Sequence, residues 1–139
     1  MTDPMNPNPY VLYILMRTDL DSLNPGKAMA QANHAFGALK KRIRQNLNLQ
    51  PEYLDWQATT EQDFGTCLVL GATEGQIKRV LSRANRFFGR TTVSGWVHDP
   101  TYPLRDGAVT HLIPLNTCAF LFCKKEDGHE LVSHLELHS

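Results

Sequence analysis

Short, nearly continuous apolar runs alternate along this chain with longer segments in which apolar residues recur at helical spacing. Runs at residues 10–16, 64–70, 91–97 and 118–123 predict four strands, and the first is apolar enough for burial on both faces. The order strand, helix, strand, helix, strand indicates an α/β fold. We expect a single domain with a mixed, mostly parallel four-stranded sheet and helices on both faces.

Both predicted helices carry start signals. Asn24 and Pro25 supply an N-cap and a proline at the first helical position of a helix reaching to about Gln45. Thr73 and Gln76 match a capping box for a second helix that Gly89 ends. Apolar residues at helical spacing predict the buried stripes of both helices: Ala28, Ala32, Ala35, Leu39 and Ile43 in the first, and Ile77, Val80, Leu81, Ala84 and Phe88 in the second.

The remaining segments are less regular. Residues 46–63 read as irregular, with Tyr53, Leu54 and Trp56 pinning them to the body of the domain. Residues 99–107, with two prolines, predict a loop or an insertion.

Towards the end of the chain, residues 126–132 predict a short helix and residues 134–138 an edge strand. Residues 1–9, rich in proline and asparagine, predict a flexible lead-in, which leaves residues 10–139 as the domain.

Composition narrows the class of protein. Of 139 residues, 42% are hydrophobic and 20% are charged, as in ordinary globular proteins. Cys67, Cys118 and Cys123 each fall in an apolar run, which predicts buried thiols and a reducing compartment. No apolar stretch approaches the ~20 residues of a membrane span, and the N-terminus lacks a signal-peptide pattern. We therefore expect a cytoplasmic protein with no membrane partner.

The net charge is zero, yet the basic residues are segregated. Two clusters stand out: Lys40, Lys41, Arg42 and Arg44 in the first helix, and Lys78, Arg79, Arg83, Arg86 and Arg90 in and after the second. They could form a phosphate-binding face, but on charge alone solvated helix surfaces are the favoured interpretation.

Lys27 is unusual because it lies in the first turn of a helix, where the helix dipole disfavours cations unless an anion binds there. Gln31 and His34 follow on the same stripe, away from the alanine and leucine face. These three residues fit a ligand site or a polar solvent face. The six histidines are scattered and lack metal-binding spacing, so we expect no metal site.

Asp106 and Thr110 are a second pair of interest, four residues apart before the last predicted strands. Near a lysine, a carboxylate and a hydroxyl can position and polarise a water molecule.

Several spaced motifs resemble one family. Arg17-Thr18-Asp19-Leu20, followed by Gly26-Lys27, Gln31 and His34-Ala35, resembles the R-x-D-L…G-K-x-x-x-Q-x-x-H-A opening of the type 2 peptidyl-tRNA hydrolases. Residues 56–70 are similar to the family's second strand and the approach to it.

The same resemblance continues towards the C-terminus. Residues 106–114 resemble the family's D-A-G-R-T-x-x-x-P stretch, with Val109 where the family carries arginine. Residues 133–137 look like its closing G-H-L-K-L. The chain is longer than the family pattern after the first helix and between Gly89 and Asp106.

The resemblance implies a cofactor-free and metal-free enzyme that hydrolyses the ester between peptide and tRNA. By matching position, Lys27, Asp106 and Thr110 would be catalytic, and Gln31 and His34 would support them. Lys27 would stabilise the oxyanion or anchor a phosphate. The remaining expected substrate contacts are Arg17, Lys41, Arg42 and Arg105, the last as a substitute for the arginine missing at Val109.

Two alternatives stay open. One is a module that keeps the fold and binds tRNA or a protein without catalysis, and the other is hydrolysis of a different ester at the same site. The resemblance also makes a homodimer plausible.

Overall fold

The computed structural model describes residues 9–138, so most of the predicted lead-in lies outside the described residues. Within this range the helices and strands follow one another in the order β1 (Tyr10–Arg17), α1 (Pro25–Gln45), α2 (Gln50–Ala58), β2 (Cys67–Ala72), α3 (Glu74–Phe88), β3 (Val93–Asp106), β4 (Val109–Lys124), α4 (Lys125–Val132) and β5 (Glu136–Leu137).

The fold is a mixed α/β single sheet, but the prediction of a mostly parallel, four-stranded sheet was wrong. The described residues form five strands in the order β3-β4-β1-β2-β5, and only β1 and β2 pair in parallel. Strands β1, β2 and β3 do run in the same direction, as the alternation of strands and helices predicted. However, β4 inserts between β3 and β1, which makes both of its own pairings antiparallel.

Helices cover both faces of this sheet, as predicted. Residues of α1 and α2, including Leu39 and Trp56, form one core with one face of β1. Residues of α3 and α4, including Ile77 and Leu131, form a second core with the opposite face. No helix among residues 9–138 combines the length and apolar character needed to cross a membrane.

The structure confirms the predicted N-terminal caps of α1 and α3. The Asn24 side chain accepts a hydrogen bond from the Lys27 backbone amide, and Pro25 opens α1. Thr73 and Gln76 form both hydrogen bonds of a capping box, with α3 starting at Glu74 and ending at Phe88. Each signal involves residues within one helical turn, so the rest of the fold has little influence on it.

The prediction of an irregular segment at residues 46–63 was wrong. A short 3₁₀ turn at Leu47–Leu49 leads into α2, and Pro51 lies in the first turn, where its missing amide proton is not needed. Tyr53 and Trp56 are buried as expected, whereas Leu54 is exposed.

The prediction of a loop or insertion at residues 99–107 was wrong: residues 99–106 are the outer half of β3, in a long β3–β4 hairpin that turns at Gly107 with φ +60°. Its prolines, Pro100 and Pro103, are tolerated because β3 is an edge strand, and a register irregularity separates Asp99 from Tyr102.

Two of the three cysteines are buried as predicted. Cys118 and Cys123 lie in the interior of β4, whereas Cys67 at the start of β2 is exposed. Burial raises the pKa of both interior thiols to about 12, so both stay protonated at neutral pH.

Candidate functional site

One flank of α1 faces the base of the β3–β4 hairpin, beyond the carboxyl end of β1 and beside the middle of β3. We call the hairpin residues 98–103 and 115–117 the neck, and residues 104–111 the tip. Lys27 and Gln31, one helical turn apart, both contact the neck. The sequence pattern placed these two residues and His34 on one stripe, and that stripe meets strand β3.

Gln31 is buried, with 3% of its surface exposed, and its amide joins two strands. Its Nε2 donates to Asp99 Oδ2 at 2.8 Å, and its Oε1 accepts from Thr117 Oγ1 at 2.7 Å. The Cys118 thiol also donates to the Gln31 backbone carbonyl at 3.6 Å. Because a buried amide left unpaired is costly, this network fixes the rotamer of Gln31 and the position of Asp99.

The Asp99 carboxylate is held in its charged form. Partial burial alone would raise its pKa, but the hydrogen bonds from Gln31 and Thr101 and the field of His34 together bring that pKa below its usual value. The Thr101 amide donates to Oδ1 at 2.9 Å, beside the Gln31 bond to Oδ2. A carboxylate has about four acceptor positions, so Asp99 retains the capacity to accept from a water molecule.

Lys27 is partly buried beside β3, the strand that contains Asp99. Its Nζ donates to the Pro103 carbonyl at 2.7 Å and lies 5.0 Å from the centre of the Tyr102 ring. The Tyr102 hydroxyl is within 3.1 Å of Ser22 Oγ, in the segment before α1. An ammonium has three donors, and among the described residues only Pro103 accepts from this one. Two donors are therefore left for a ligand.

Asp106 and Thr110 lie at the tip instead. The Asp106 side chain is 83% exposed and has one ion-pair partner among residues 9–138, His111 at 3.8 Å. Thr110 pairs in register with Arg105, and both are exposed. No hydrogen bond or ion pair of the described chain joins Lys27 to either Asp106 or Thr110.

The other predicted contacts are spread more widely. Arg17 is engaged by Asp19, Glu74 and the Asn116 carbonyl, at the carboxyl end of β1. Arg42 reaches the Ser94 carbonyl at 3.4 Å and packs over the Phe120 ring, near exposed Lys41. His34 is exposed and lies close enough to Asp99 to lower its pKa.

Within residues 9–138, no three His, Cys, Asp or Glu side chains are grouped as metal ligands would be.

Sequence reasoning missed Asp99 and Thr117 as members of this group. One signal for Asp99 was available: it closely follows the predicted strand at residues 91–97, and ligand-binding residues of α/β sheets gather beyond the carboxyl ends of strands. Thr117 carried no such signal, because its role depends on a strand that inserts beside β1.

No protein-family model matches this chain, and no curated protein is significantly similar to it in sequence.

Proposed function

We propose that this protein hydrolyses the ester bond of peptidyl-tRNA, with Lys27 and Asp99 as the groups that act on the ester. The observation that carries the proposal is the Asp99–Gln31–Thr117 network, whose central amide lies one helical turn after Lys27 on α1. It supplies an ionised carboxylate with a free acceptor position. Lys27, one helical turn before Gln31 and bound to Pro103 of the same strand as Asp99, supplies a cation with free donors. The substrate class comes from the family resemblance, and the choice of Asp99 over Asp106 comes from the geometry.

In this proposal Asp99 holds the attacking water molecule. The carboxylate accepts a hydrogen bond from the water and directs the water's oxygen lone pair at the ester carbonyl carbon. Because Asp99 is ionised by its hydrogen bonds, it acts mainly by orienting and polarising the water. Gln31 is a positioning residue, since it touches Asp99 and is too buried to reach solvent.

Lys27 stabilises the negative charge that develops on the carbonyl oxygen. A fixed ammonium in a partly buried site stabilises such an oxyanion more than a solvated one would, because little reorganisation is needed. The leaving group is the ribose oxygen, which takes up the proton that the attacking water loses, directly or through solvent.

The tRNA backbone would lie along the basic residues of α1. Lys41 and Arg42 are on the same helix as Lys27 and Gln31, about 21 Å from Lys27 to Lys41 at 1.5 Å per residue. Contacts of this kind attract phosphates without reading sequence.

A specific contact favours the second candidate, a non-catalytic RNA-binding module. The hairpin neck rests directly on Lys27 through Pro103 and the buried Tyr102 ring. For hydrolysis, the oxyanion must reach the two remaining donors of Lys27 or displace the Pro103 carbonyl.

The test is release of N-acetylated aminoacyl groups from tRNA by the purified protein and three variants, of which the two aspartate variants are a matched pair. Asp99→Asn should reduce turnover about 100-fold or more, whereas Asp106→Asn at the exposed tip should retain it. Lys27→Met should also reduce turnover about 100-fold, since it removes the oxyanion donor.

Each outcome separates the candidates. Loss of turnover in Asp106→Asn but not in Asp99→Asn would return the carboxylate role to Asp106. Absence of turnover in the wild-type protein, with tRNA still bound, would favour the binding module. Circular dichroism and thermal unfolding of each variant serve as the folding control.

A further inference from the structure

The outer surface of α3 carries an unneutralised stripe of arginines. Arg79, Arg83 and Arg86 recur three or four residues apart, so they lie along one side of the helix, and Arg90 follows two residues after its end. No carboxylate of residues 9–138 lies within ion-pair distance of any of the four. The single acidic residue of α3, Glu74, pairs with Lys78 and Arg17 instead.

This arrangement is locally unfavourable. Like charges three or four residues apart on a helix repel one another, and neither the capping of α3 nor its apolar core requires them. At 1.5 Å per residue, Arg79 and Arg86 are about 10 Å apart along the helix axis. A row of guanidinium groups of this length suits a chain of phosphates better than a single anion.

An exposed aromatic ring lies within the stripe. Phe87 is 60% exposed, and the Arg86 guanidinium lies 5.2 Å from the centre of its ring. Surfaces that bind single-stranded nucleic acid combine cations along the backbone with exposed aromatic rings on which bases stack. Duplex RNA has its bases already stacked and offers none to such a ring.

The stripe continues into a groove around the β5 edge of the sheet. Arg79, Arg83 and His134 line a cavity beside α3, and His134 also lines the next cavity, which extends to His138 and includes Glu136. His138 then lines a third, apolar cavity with Ala28 and Met29 in the first turns of α1. Through their shared residues His134 and His138, the three cavities extend from the arginines to the first turns of α1.

We propose that the arginine and Phe87 stripe of α3 binds a single-stranded segment of RNA, which passes along the His134 groove towards the start of α1. The direction of the strand rests on the proposed hydrolase function; the binding surface itself does not. Because α3 and α1 cover opposite faces of the sheet, a rigid duplex lying on α1 would not reach the stripe. A flexible single-stranded end is the part of an RNA substrate that can follow the curved edge.

The test is fluorescence anisotropy with a labelled single-stranded oligoadenylate across a range of salt concentrations. Arg83→Gln should weaken binding about fivefold near 0.1 M salt and reduce the salt slope by about 0.7, the value for one lost phosphate contact on a single strand. Phe87→Leu should weaken binding about fivefold or more with an unchanged slope, because stacking releases no counterions.

Lys78→Gln is the matched control. It removes one positive charge from the same helix at a position off the stripe, so affinity should stay within about twofold. All three side chains are exposed, so the variants should keep the wild-type unfolding temperature.

Several results would overturn the proposal. Equal weakening by Arg83→Gln and Lys78→Gln would mean only diffuse attraction, and unchanged affinity in Phe87→Leu would exclude stacking. Binding of a duplex RNA as tight as that of the single strand, with no Phe87 dependence, would also exclude it. If Arg83→Gln loses RNA binding and the wild-type protein is inactive, the binding surface stands and the hydrolase proposal fails. If Arg83→Gln binds RNA as the wild type does and is active, the hydrolase proposal stands and the binding surface fails.

Discussion

The neck and the tip of the β3–β4 hairpin carry similar residues in different surroundings. At the neck, Asp99 and Thr117 are joined through the buried Gln31 amide. At the tip, Asp106 and Thr110 are exposed, and their side chains contact little beyond the hairpin itself. The neck can hold its groups in a fixed geometry because α1 packs on it, whereas residues 105–111 of the tip are exposed. An aspartate and a threonine can therefore act together only where neighbouring residues hold their side chains in a fixed geometry.

The largest expected effect is a loss of stability when the buried Tyr102 ring of the neck is truncated. Tyr102 is 0% exposed, and Tyr102→Ala should lower the free energy of unfolding by about 3–5 kcal/mol, because it leaves a large cavity against α1. Leu112→Ala, at a 63% exposed position where the hairpin leaves the body, should change it by no more than about 0.5 kcal/mol. Denaturant unfolding measures both. Equal small losses would mean that the neck is not packed as described.

A second comparison uses the two threonines. Thr117→Val should cost about 1–3 kcal/mol, since the Gln31 oxygen loses its donor in a buried place. Thr110→Val at the exposed tip should stay within about 0.5 kcal/mol of the wild-type value. The substitution is chemically identical at both positions, so unfolding by urea isolates the effect of burial. A Thr117→Val variant as stable as Thr110→Val would contradict the buried network.

The smallest expected effect is the pH dependence of the neck. Because the folded-state pKa of Asp99 is below its unfolded value, its contribution to stability is present above the unfolded pKa and is lost as the pH falls through the folded pKa. The loss should amount to less than about 1 kcal/mol for this partly exposed group. The unfolding free energies of the wild type and Asp99→Asn should therefore converge as the pH drops below the ordinary carboxyl range. A constant difference between them would contradict the assignment.

The boundaries and core stripes of α1 and α3 were the most predictable features of this chain, whereas α2 was not predicted. Asn24 and Thr73 cap helices through bonds to residues three positions away, so their sequence context contains all that is needed. The direction of β1, β2 and β3 was also predictable, because each helical crossover returns the chain to the same edge. The residues of the candidate site on α1, Lys27 and Gln31, were found by their helical spacing.

The order of the strands could not be predicted in this way. The two prolines of residues 99–107 suggested a loop, but an edge strand tolerates them, and the hairpin that results carries β4 back between β3 and β1. The catalytic role of Asp106 stays a prediction, and its position at the exposed tip could not be foreseen because the linear sequence contains no information on how far the hairpin extends from the body.

By itself, the sequence determined the local features: the caps, the helical stripes, the apolar strands and the cluster of Lys27 and Gln31 on one helix flank. These depend on residues within a few positions of one another. Only the tertiary structure decided which strand lies beside which, and hence that Asp99 and Thr117, 18 positions apart, share the Gln31 amide. Such pairings are set by the burial of whole strands and by hydrogen bonds between distant segments, which no local pattern encodes.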